Sequence, residues 1–129
     1  MSNKKRFSME KLARDKMEDY FVSQGNVPQV CTLSKDKLIT ALKHKLLEEA
    51  QEVFLSTDTE NLIEELADVK EVILSLMNSF DISEQTVEQK RLAKKKHLGG
   101  FDKGTYFYFV DILEDCSDFQ YFLERPEKR

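Results

Sequence analysis

At 129 residues, with 24 acidic against 20 basic side chains, the chain has a net charge of −4, which argues against a protein that holds nucleic-acid backbones by bulk charge. No uninterrupted apolar run reaches the ~20 residues of a membrane span, and the polar start Ser2-Asn3-Lys4-Lys5-Arg6 leads into no signal-peptide hydrophobic region. The expectation is a single domain over 1–129, cytoplasmic, with a small core that oligomerisation would help.

Residues from about Glu10 to Gln24 suit a helix ended by Gly25, after which Pro28 forces an extended path through Gln29-Val-Cys-Thr-Leu33. Ser34 can cap a second helix that runs to about Leu55. Ser56-Thr-Asp-Thr59 then supplies a turn and the cap of a third, from about Glu60 to Ser79. Asp81-Ile-Ser83 caps a fourth, which carries Arg91, Lys94, Lys95 and Lys96 before Gly99-Gly100 stops it. Thr105-Tyr-Phe-Tyr-Phe-Val110 reads as a strand that can pair with residues 29–33. The fold class expected is therefore all-α, a bundle of about four helices with a small two-stranded β element near the C-terminus. Cys31 and Cys116 show no Cys-x-x-Cys spacing and are expected as free thiols.

The two long helices carry the chemistry. Ile39, Leu42, Leu46, Ala50 and Val53 form one apolar stripe at helical spacing, and Leu62, Leu66, Val69, Ile73, Leu76 and Phe80 form another. Measured from Leu46 and from Leu62, Glu49 and Glu65 each lie about 60° to one side, and Glu52 and Asp68 about 120° to that same side. In an antiparallel hairpin, equal offsets face one way, and both pairs centre on the turn between Asp58 and Thr59. Glu49 should face Asp68, and Glu52 should face Glu65. Carboxylates crowded in this way repel one another, so a cation is the natural companion. A set of oxygen ligands with no His or Cys favours magnesium or manganese.

A second apolar strip runs along each long helix, Leu47 and Phe54 on one, Ile63 and Leu74 on the other, on the side away from the acids. One hairpin cannot bury all of it; the first and fourth helices can cover part and a partner subunit the remainder, so a helical bundle formed by a homodimer or homotetramer is the preferred architecture.

Lys45-Leu-Leu-Glu-Glu-Ala-Gln-Glu52, followed by Glu64-Glu-Leu-Ala-Asp-Val-Lys-Glu-Val-Ile73, resembles the Glu-Glu-x-x-Glu…Glu-x-x-Asp signature of the MazG-like all-α nucleoside triphosphate pyrophosphohydrolases. Lys11-Leu-Ala-Arg-Asp-Lys16 is similar to the Lys-Leu-Val-Arg-Asp-Lys opening of a phosphoribosyl-ATP pyrophosphohydrolase-like branch, and Gly99-Gly100-Phe101 to its Arg-Gly-Gly-Phe close. The resemblance covers about residues 10–101. It departs at Ala13, where the pattern has Val, at Leu98, where it has Arg, and in the aromatic extension over 102–129.

The resemblance implies an oligomeric helical bundle that uses Mg²⁺ to hydrolyse an NTP or dNTP to the monophosphate and pyrophosphate, often to clear unwanted nucleotides. Matching positions make Glu49, Glu52, Glu65 and Asp68 the metal ligands, with Glu48 the candidate to draw the proton from the attacking water. Lys11, Arg14 and Lys16 on the first helix, with Lys94 and Lys95 on the fourth, are the candidate phosphate contacts, because a triphosphate needs more countercharge than one metal provides. Two other readings stand beside this one. The first is phosphoribosyl-ATP hydrolysis, although no residue here reads the extra ribosyl phosphate. The second is a non-catalytic helical interaction module whose acids solubilise the hairpin. His44 and His97 have no second His at ligand spacing and read as surface residues. The aromatics beyond Phe101 read as core or subunit packing.

Overall fold

Helix formation concentrates where apolar residues recur every three or four positions between good caps. The computed structural model describes residues 2–125. Its helices are α1 (Met17–Ser23), α2 (Lys35–Leu55), α3 (Thr59–Ser79), α4 (Glu84–Leu98) and α5 (Phe119–Glu124). The described chain is all-helical. It divides into two compact units at the boundary between Lys90 and Arg91.

In the first unit, α2 and α3 are each 21 residues long and joined by residues 56–58. So short a connection between two long amphipathic helices leaves an antiparallel hairpin as the packing open to them. The caps follow the chain's own chemistry. The Asp58 carboxylate accepts the Asn61 N–H at 2.8 Å, and Ser83 Oγ accepts the Thr86 N–H at 3.1 Å. Ser34 occupies the N-cap of α2 in extended backbone, but its side chain makes no capping bond. Because Asp58 satisfies one of the orphan donors of α3, Asp58→Ala should cost about 1 kcal/mol in denaturant unfolding. An unchanged midpoint would show that the hairpin does not depend on this cap.

Gly25 ends α1 as its sequence suggests. With φ +80° it takes the left-handed conformation, the Asn26 N–H donates to the Phe21 carbonyl, and the Gly25 N–H to that of Val22, a Schellman closure. Asp81, at φ +54°, closes α3 through the same pair of bonds, from Ile82 to Met77 and from Asp81 to Asn78.

Three expectations are corrected. The first helix starts at Met17 rather than near Glu10. Glu10 has φ +47°, and the basic side chains that follow it are drawn across to acids on the hairpin, so residues 11–16 form a strap instead of a helix. No strand forms among the described residues, either at 29–33 or at 105–110. A strand needs a partner ladder to satisfy its backbone, and the segment over 105–110 runs solvated, with Tyr108 88 % exposed and Tyr106 edge-on to it at 5.4 Å between ring centres. The third is the seam of the hairpin. Leu42, Val72 and Met77 are the buried apolar residues, whereas Ala50, Leu66, Ile73 and Phe80, expected to face inward, are exposed. Ile39, Leu42, Leu46 and Val53 on α2 and Leu62, Val69 and Leu76 on α3 are buried or half-buried as their spacing indicates, and Leu38, Lys45, Glu49, Glu65 and Val72 join them. Polar residues thus occupy seam positions. Leu47, Phe54 and Ile63, the expected second strip, are exposed, and Leu74 is half-buried.

The second unit contains the last turns of α4, a left-handed Gly99 at φ +87° whose N–H donates to the Lys95 carbonyl, and α5. Helix α5 was not expected from the sequence. Here Ile112, Phe119 and Phe122 are half-buried, the Tyr121 ring is edge-on to Phe122, and the Arg125 guanidinium lies 4.6 Å from the Tyr121 ring centre. Cys31 and Cys116 are free and exposed.

Candidate metal centre

Near its closed end, the hairpin seam carries acids rather than aliphatics. Glu49 from α2 and Glu65 and Asp68 from α3 each offer a carboxylate oxygen, and these oxygens all lie within 4.8 Å of one another. Glu49 is 9 % exposed, the one buried polar residue among those described. The facing of Glu49 and Asp68 agrees with the helical register. Glu52 does not join the group and is exposed. With Glu49 in the seam, a residue three places on lies about 60° away from it, which turns Glu52 toward water.

Opposite oxygens around magnesium at ~2.1 Å lie about 4.2 Å apart, so three carboxylates within 4.8 Å need only small side-chain rotations to share such an ion. The donor set is all oxygen, as a hard cation requires. These residues therefore fit the group that the motifs imply.

The surrounding cations come from two places. Lys45, half-buried and one turn before the acids on α2, bonds Glu48 Oε1 at 3.1 Å and reaches Glu49 Oε1 at 3.3 Å. Its spacing to Glu48 and Glu49, combined with a seam position three residues after Leu42, is the signal in the sequence for this role. The strap supplies the other two. Arg14 donates to Asp68 Oδ1 at 2.6 Å, and Lys11 lies 3.6 Å from Glu48 Oε1. Both of these pairs are substantially exposed and worth well under 1 kcal/mol each. Lys16 is exposed at the N-cap of α1, where its carbonyl accepts the Tyr20 N–H. Lys94 and Lys95 lie on exposed turns of α4 in the second unit.

Six carboxylates, Glu48, Glu49, Glu52, Glu64, Glu65 and Asp68, are thus set against three cations, Lys11, Arg14 and Lys45. Glu65 has no ion pair among the described residues, and its pKa is raised above the ordinary glutamate value. Desolvation is the first cause, followed by the negative charges of Asp68, Glu52, Glu49 and Glu64. A raised carboxyl pKa means that the folded chain holds a proton which the unfolded chain has released. Between the ordinary value and the raised one, stability therefore falls as pH rises. In the absence of divalent cations, Glu65→Gln should remove that part of the decline, so that wild type and variant diverge as pH climbs through the window. Parallel melting curves across it would show that Glu65 does not feel the cluster.

No protein-family model matches this chain, and neither does any curated protein or solved structure.

Proposed function

We propose that this chain is a magnesium-dependent nucleoside triphosphate pyrophosphohydrolase, which hydrolyses an NTP or dNTP to the monophosphate and pyrophosphate and so clears unwanted nucleotides. The observation that carries this reading is the convergence of Glu49, Glu65 and Asp68 from two helices, with the strap cations Lys11 and Arg14 beside them. The negative charge left over at the cluster is what a divalent ion would balance. Glu49, Glu65 and Asp68 would hold magnesium, with Glu52 adding negative charge that is felt at Glu65; manganese would serve in the same role. When bound, the ion would neutralise phosphate oxygens and make water a better nucleophile. Arg14 and Lys11, already at the rim, would take phosphate oxygens as charge-assisted donors. Glu48 would accept the proton of the attacking water as the bond between the α-phosphorus and the bridging oxygen breaks.

The test is a panel of canonical and damaged ribo- and deoxyribonucleoside triphosphates with Mg²⁺ or Mn²⁺, measuring pyrophosphate release. Pyrophosphate released in step with monophosphate supports the reading. Release of orthophosphate alone, or no turnover of any member, overturns it.

A second reading rests on the ion pairs themselves. Lys45, Lys11 and Arg14 already offset much of the cluster, and Leu47, Phe54 and Ile63 lie exposed on the hairpin. Those features suit a helical module that binds another protein and has no chemistry. Magnesium-dependent stabilisation separates the two, because only a real cation site raises the melting temperature with ion concentration.

A further inference from the structure

The strap does more than carry cations, because residues 10–12 form one wall of a cavity of about 200 Å³ whose other wall is Ala41, His44, Lys45 and Glu48 on α2. A shallow, largely open depression lined by Leu33, Asp36, Lys37 and Thr40 continues from it and shares Ala41 and His44 with the first. The two adjoin along one face of α2, and the first reaches Glu48, the neighbour in sequence of Glu49. The walls of this groove combine apolar surface from Leu12, Leu33 and Ala41 with hydrogen-bonding groups from Thr40 and His44.

Charge decides what part of a ligand the groove suits. Lys11 and Lys45 are already drawn to Glu48, and the rest of the groove carries Glu10, Asp36 and Lys37, so it has no surplus of positive charge and offers little to a polyphosphate. A neutral, partly apolar group with hydrogen-bonding edges is the better match. Distance points the same way. His44 precedes Glu48 and Glu49 by four and five residues, which at 1.5 Å per residue is about 6–7.5 Å along the helix, roughly the step from the α-phosphate to the base of a nucleotide.

We infer that this groove is the nucleoside subsite, with Ala41 as the floor under the base and His44 at its edge as the residue that sets base preference. The inference rests on the triphosphate reading for the position of the phosphates, but the groove can be tested without turnover. The probes are the adenosine, guanosine, cytidine and uridine 5′-monophosphates, titrated into the full labelled chain while the Ala41 methyl and His44 ring signals are followed by NMR, with orthophosphate as the control. At least one monophosphate should shift both signals saturably while orthophosphate shifts neither. Ala41→Leu, which fills the floor, and His44→Ala, a substitution on an exposed surface, should each weaken that binding by at least tenfold. Unmoved Ala41 and His44 signals with every nucleotide would overturn the subsite even if the chain hydrolyses triphosphates. Unaltered affinity in both variants would overturn it as well. Saturable shifts in a chain that releases no pyrophosphate would keep the subsite and remove the catalytic reading.

Discussion

Glu49→Gln or Asp68→Asn should abolish magnesium-dependent pyrophosphate release, by ~10²–10³-fold or more in kcat/KM, while leaving the helical signal intact. Each amide keeps the shape of the side chain and removes one anionic oxygen ligand from a group whose members lie within 4.8 Å. Folding should be nearly indifferent. Glu49→Gln gives up its contact with Lys45, which retains Glu48, and it also relieves repulsion against Glu65 and Asp68. Asp68→Asn gives up the bond from Arg14, an exposed pair worth well under 1 kcal/mol. The melting temperature without divalent ions should therefore hold or rise slightly, and its increase on adding Mg²⁺ should disappear. Full turnover in either variant would remove the metal assignment. A collapse of the fold would instead make Glu49 a structural member of the seam.

The parts of this architecture legible in the sequence are those governed by local chemistry. Asp58 and Ser83 cap where short polar side chains precede helical spacing, and Gly25 takes the left-handed turn that ends α1. The axial level of Glu49 against Asp68 follows from a tight turn and a rise fixed by the helix. Rotation about the helix axes was legible only in part: Ile39, Leu42, Leu46, Val53, Leu62, Val69 and Leu76 face inward as their spacing indicates. Hydrophobicity alone puts Ala50, Leu66 and Ile73 inward, whereas the hairpin turns Lys45, Glu49 and Glu65 toward the seam and leaves those three exposed. A seam that contains charges in mutual contact defeats a reading that sorts apolar from polar. The same blindness hid the strap. The spacing over residues 10–16 suits a helix, yet Lys11 and Arg14 find their partners more than thirty residues away, on α2 and α3. In the extension, alternating aromatics mimic a strand, but no partner ladder exists among the described residues to make it one.

Lys45 gives the second large effect. Its side chain, 17 % exposed, carries the countercharge to the Glu49 side chain, 12 % exposed, and it also holds Glu48. Replacing it by Met keeps the aliphatic stem in the seam but leaves a poorly hydrated carboxylate facing Glu65 and Asp68 uncompensated. Removing one member of such a pair costs more than the pair was worth, because the remaining charge keeps its desolvation penalty. Lys45→Met should therefore destabilise the chain by about 2 kcal/mol at neutral pH without divalent ions, read from the midpoint of urea unfolding. Adding Glu49→Gln to that variant should recover about half or more of the loss, a coupling that independent sites would not show. Magnesium then separates the two functional readings. If the three acids hold a cation, Mg²⁺ should raise the midpoint of Lys45→Met by more than it raises that of wild type, since the ion supplies the charge the variant lacks. If the hairpin is an interaction module whose acids are balanced only by its own side chains, the loss will remain at every magnesium concentration. An undiminished midpoint in Lys45→Met itself would mean that water reaches Glu49 well enough to replace the ammonium, and would remove the electrostatic account of the seam.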